Sequence, residues 1–124
     1  MITLILVANG TEARLLSATQ RVNPRDLQEV AHLTRATVAA RSGAASDHDP
    51  HTVEIERFAR RIARRLDAVR RTVGYDELVV IAAPRFLGTL RTALRGVTRD
   101  LVSREVPRDL VRAEDRQIKA VAFE

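Results

Sequence analysis

YDELVVIAAPRFLGTLRTAL, Tyr75 to Leu94, is the stretch on which the fold turns. Its first half, Tyr75 to Ala83, holds an unbroken apolar run from Leu78 onward, the pattern of a strand covered on both faces. Pro84 stops that run and suits the first position of a helix, where its missing N–H costs nothing. Phe86, Leu87, Leu90, Ala93, Leu94 and Val97 then recur at helical spacing and mark the apolar side of a helix. A strand that feeds a helix in this way is the repeating unit of an α/β sheet, and such sheets hold ligands beyond the carboxyl ends of their strands. Arg85 stands at that junction. With Pro84, Gly88 and Arg91 it forms a candidate anion-binding site, while the bland alternative has Arg85 capping a loop carbonyl or pairing with Asp76 or Glu77.

Upstream lies the clearest helix. Asp49-Pro50 gives it an N-cap and a first residue, with Glu54 and Glu56 near the positive end of its dipole. Ile55, Phe58, Ala59, Ile62, Leu66, Val69 and Val73 fall on one narrow stripe, and Gly74 supplies a left-handed stop. Burying such a stripe contributes roughly 10 kcal/mol before conformational entropy is subtracted. The other side carries Arg57, Arg60, Arg61, Arg64 and Arg71. That face is either simply solvated or a surface that tracks the phosphates of structured RNA over about 21 Å.

Further out, Ile2 to Ala8 predicts a second strand buried on both faces. Asn9-Gly10 turns it into a hairpin with EARLLSAT. Leu27 to Leu33 is either a third strand, with Leu27, Glu29, Ala31 and Leu33 on one side, or a short helix. Thr34 to Asp49 is poor in large apolar residues and is expected to be a mobile loop. A helix of about five turns before Tyr75 predicts parallel pairing with an earlier strand. Leu101 to Leu110 gives a last strand and the tail a short helix. The expectation is one domain over 1–124, an α/β fold in the order β-β-β-α-β-α-β. It has a mixed sheet of about five strands, two main helices packed on it and a short C-terminal helix.

Composition narrows the chemistry. There is no cysteine, which removes disulfides, thiol nucleophiles and cysteine-ligated metals. The formal charge is +5, and every basic residue except Lys119 is arginine, whose planar fork suits phosphate and carboxylate. Four aromatic residues are too few for a base-stacking platform of the single-strand-binding type. No nucleophile elbow, phosphate loop or dinucleotide fingerprint occurs. His48, Asp49 and His51 form a weak metal candidate, and no cofactor is expected. The opening apolar run has no basic leader and is too short to span a bilayer, so a cytoplasmic protein without membrane contact is expected.

The combination of ILVANGTEARLL (5–16), FARRIARRL (58–66), YDELVVIAAPRFLGTLRTAL (75–94) and REVPRDL (104–110) resembles the bacterial "protein required for attachment to host cells" family. Its most specific piece is APRFLGTLR, Ala83 to Arg91. That family is in turn similar to the middle domain of the archaeo-eukaryotic class I peptide-chain release factors. The resemblance implies a release-factor-middle-domain-like fold and a role near the translation machinery. The release factors' Gly-Gly-Gln loop has no counterpart in Arg35 to Thr52, so peptidyl-tRNA hydrolysis is not expected. The reading is a non-catalytic binding module for the ribosome, structured RNA or a protein of that machinery, with any attachment role indirect. The alternative is a small enzyme or sensor that holds a phosphorylated metabolite at the Pro84-Arg85 junction.

Overall fold

The structure, a computed structural model, describes residues 2–19, 27–35 and 50–123. Its elements are β1 (Thr3–Ala8), β2 (Glu12–Ala18), β3 (Gln28–Thr34), α1 (Pro50–Thr72), β4 (Glu77–Ala82), α2 (Pro84–Ala93), α3 (Gly96–Asp100), β5 (Val102–Val106) and α4 (Asp115–Phe123). The strands form one mixed sheet in the order β3-β2-β1-β4-β5. β1 pairs antiparallel with β2 and parallel with β4, from Thr3 opposite Glu77 to Ala8 opposite Ala82. The expected five-stranded mixed α/β sheet and the parallel crossover are therefore present.

All six residues of β1 are buried, as a central strand with both faces covered requires. Leu4, Leu6 and Ala8 join α1 and α2 in one core, whereas Ile5 and Val7 join Ile118 and Ala122 of α4 in the other. Asn9 closes the β1–β2 turn by itself. Its side-chain oxygen accepts from the backbone N–H groups of Thr11 and Glu12, both at 2.9 Å, and from the Thr11 hydroxyl at 2.8 Å.

The third segment is a strand, but its expected facing is corrected. Leu15 pairs with Ala31 and Leu16 with Glu29, so a bulge at Val30 breaks the alternation. Ala31 and Leu33 face the α1 core, while Leu27 drops to the α4 side. Thr34 ends β3, and Arg35 is tied by its N–H to the Thr11 carbonyl at 2.8 Å and by its guanidinium to Glu54 at 3.1 Å. Of the loop expected over 34–49, residues 36–49 lie outside the described residues, the Asp49 cap among them.

Phe58, Ala59, Ile62, Leu66 and Val69 of α1 are buried as expected. Val73 is not. The helix ends at Thr72, and the Val73 and Gly74 N–H groups both return to the Val69 carbonyl, at 2.9 and 3.0 Å. This winding swings Val73 out to 56% exposure, with Gly74 at φ +81°. A similar break corrects the second helix, which does not run on to Val97. Leu94 is extended, Gly96 takes φ +62°, and α3 starts afresh with Thr98 buried and Val97 outside. β5 stops at Val106 rather than Leu110, because Pro107 has no N–H to continue the ladder.

On the α4 face, Arg14 of β2 is the clamp. It donates to the carbonyls of Val111 and Ala113 at 3.2 and 3.3 Å, and pairs with Asp115 at 3.2 Å and Glu29 at 3.0 Å. The helical stop gives a direct test by urea unfolding. Gly74→Ala should lose about 1 kcal/mol, the cost of a Cβ in left-handed backbone, while Val73→Ser should stay within about 0.5 kcal/mol.

Candidate functional site

Both crossover helices lie on the same face of the sheet, and a groove of about 750 Å³ runs between them. Helical spacing decides which arginines enter it. At about 100° per residue, Glu56, Arg60, Arg64 and Asp67 share the flank of α1 that faces α2. Arg61 falls on the other flank, where it donates to the Thr34 carbonyl at 2.8 Å and lies over the Phe58 ring. From α2 the groove receives Arg85, with Gly88 as bare wall, and from the extended link before α3 it receives Arg95.

Four arginines thus line one hollow. Arg60, Arg64, Arg85 and Arg95 are all exposed, and among the described residues none has a hydrogen-bond or ion-pair partner. Other arginines are spent on structure: Arg14, Arg35, Arg91 and Arg112 each pair with a carboxylate. The two acidic residues of the groove differ. Glu56 is exposed, whereas Asp67 accepts a hydrogen bond from the buried Thr98 hydroxyl and so fixes α3 against α1. Gly88 leaves open space, since an added Cβ would meet nothing within 4 Å.

Arg85 pairs with neither Asp76 nor Glu77. Those residues sit at the opposite end of β4, where Asp76 accepts from the Ile2 N–H at 2.7 Å and Glu77 from the Thr3 hydroxyl at 2.7 Å. The length of a strand, about 20 Å, separates them from Arg85. Arg85 also borders a smaller hollow of about 340 Å³, lined by Gly10, Ile55, Ala83 and Phe86. This hollow lies at the carboxyl ends of β1 and β4, which the Ala83 N–H joins by donating to the Ala8 carbonyl at 3.1 Å. Glu56, Arg85 and Thr89 border both spaces, so the two adjoin.

The remaining sequence candidates scatter. Arg91 points away from the groove to Glu105 at 2.8 Å. Arg57 and Arg71 are exposed on α1 outside the groove lining. His51 is exposed on the first turn of α1, and His48 and Asp49 lie outside the described residues. Missed entirely were Arg95, Asp67 and Thr98. For Asp67 the signal was available as an i, i+4, i+8, i+11 flank running from Glu56; for Arg95 only the following Gly96 hinted at a break.

The family whose description is "Protein required for attachment to host cells" matches residues 4–121. The chain belongs to this family. A curated relative of this host-attachment chain is an uncharacterized protein of Rickettsia prowazekii (strain Madrid E), 29% identical over 89 residues. That match covers 67% of this chain and 59% of the relative's length. Among solved structures, a chain of a PilM-PilN type IV pilus biogenesis complex aligns over 99% of this chain and 42% of its own, with 17% identity and a TM-score of 0.33. A likeness that distant carries no argument about function. No helix among the described residues is long and apolar enough to cross a membrane.

Beneath the groove, Tyr75 is buried and donates to the Leu66 carbonyl at 3.1 Å. Burial pushes its phenol above the ordinary 10.0; the Thr98 hydroxyl and the Arg70 charge oppose that rise, and Asp67 adds to it. The folded protein therefore keeps a proton that the unfolded chain loses near pH 10. Tyr75's stabilising share is whole below pH 10 and is lost as pH climbs past it. Tyr75 is the one tyrosine of the chain, so phenolate absorbance titrates it alone. The midpoint should lie above 10 in the native protein and return to about 10 in urea.

Proposed function

We propose that this host-attachment-family protein is a non-catalytic binding module that takes the phosphate backbone of structured RNA into the groove between α1 and α2. The observation that carries the reading is that Arg60, Arg64, Arg85 and Arg95 line one concave surface and that, among the described residues, no carboxylate pairs with any of them. A guanidinium gains most from a planar or tetrahedral oxyanion, and four of them in one hollow focus positive potential on whatever enters. Arg57 and Arg71 extend the charge along α1 beyond the groove. Contacts of this kind position an RNA without reading its sequence.

The direction toward the translation machinery comes from the resemblance to the release-factor middle domain, a fold-level analogy. On this reading the protein works in the cytoplasm, alone or with a protein of that machinery, and the attachment phenotype in the family's description is indirect. A sensor for a small phosphorylated metabolite is the second reading, favoured by the position of Arg85 on both hollows. It predicts a saturable rise in Tm with such a metabolite, abolished in Arg85→Ala.

Co-sedimentation with ribosomes across a salt series tests the first reading. The wild type should pellet at low salt and be released as salt rises, and Arg60→Ala with Arg64→Ala should lower the log–log salt slope by about 2. A wild type that stays in the supernatant at low salt, or a slope the double variant leaves unchanged, refutes it.

A further inference from the structure

The arginine groove does not end where its charge ends. At Glu56, Arg85 and Thr89 it adjoins the second hollow, whose remaining lining is Gly10, Thr52 and the apolar side chains of Ile55, Ala83 and Phe86. The pair of spaces, about 750 and 340 Å³, each falls within the range of ligand sites, roughly 300–1,000 Å³. A binder of duplex backbone alone would use the first and leave the second empty. We infer that the two neighbouring hollows seat an unpaired nucleotide of the RNA, its phosphates among Arg60, Arg64, Arg85 and Arg95 and its base in the hollow at the carboxyl ends of β1 and β4. This inference rests on the reading of the arginine groove as a phosphate site.

Three features favour a nucleotide over another two-part anion. With Phe86 almost wholly buried at 3% exposure, the apolar surface of the hollow comes from the Ile55 and Ala83 side chains, a small aliphatic patch against which a flat ring can lie. Glu56, an exposed carboxylate, stands at the seam, where a base amino group or a ribose 2′-hydroxyl can donate to it. The site also lies beyond the ends of two paired parallel strands, the position at which α/β sheets bring backbone and helix together around ligands. In a duplex the base is stacked and cannot reach the hollow; in a loop, bulge or end it can be splayed out.

The test uses the full chain with fluorescence anisotropy at low salt. A short single-stranded oligoribonucleotide should bind about tenfold more tightly than a blunt duplex of the same sequence, the scale of roughly 55 Å² of apolar surface withdrawn from water. A nucleoside triphosphate should displace the strand at about tenfold lower concentration than inorganic tripolyphosphate. Ala83→Leu, which fills the hollow and keeps all four arginines, should erase both ratios while leaving duplex binding in place. Gly88→Leu, which obstructs the charged groove, should weaken every ligand.

Equal binding of strand and duplex, with equal displacement by the two polyphosphates, overturns the nucleotide inference and leaves the arginine reading standing. Failure of both RNAs to bind at low salt overturns the arginine reading and the inference with it. The two wild-type comparisons decide even if Ala83→Leu folds poorly.

Discussion

Parallel pairing of β1 with β4 is the constraint from which the rest of the architecture follows. Two adjacent strands that run the same way cannot be joined by a tight turn, so a long crossover must return the chain, and α1 provides it. Because β1 is buried throughout, helices or chain must cover both sides. α1 and α2 cover one side and place their flanks against each other. The segment around Leu110 and Val111 and helix α4 cover the other, held down by the half-buried fork of Arg14.

The groove is therefore a by-product of packing before it is a site. Two helices seated side by side on a twisted sheet meet along their buried stripes and diverge above them, leaving a channel whose walls are their partly exposed flanks. The sequence puts arginine on both walls. Asp67 and Thr98 settle how wide the channel stays, since their hydrogen bond draws α3 toward α1 at its far end. Gly88 leaves the α2 wall bare where any other residue would narrow it.

How much of this was legible from residues alone depended on whether the relevant signal was local. The buried strands, the long helix and its glycine stop were readable because apolar runs, 3.6-residue spacing and Gly74 each carry their meaning within a few positions. The bulge at Val30 was not, since it exists only in the pairing of β3 with β2 and flips Leu27 across the sheet. Val97 looked like a continuation of the Leu90 and Leu94 stripe until the extended Leu94 interrupted it. At the site, Arg60, Arg64 and Arg85 were singled out separately, as a helix face and as a strand end. Their meeting required the tertiary packing of α1 on α2, and the same packing separated them from Arg61 and Arg91, which spacing alone had grouped with them.

The near-exclusive use of arginine has a consequence for how the charged surface behaves in time. Acylation, the usual means of cancelling a basic side chain, acts on lysine amines, and the one lysine of the chain, Lys119, is 4% exposed on the opposite core. That means of cancelling charge does not reach the groove, whose arginines answer instead to screening by salt.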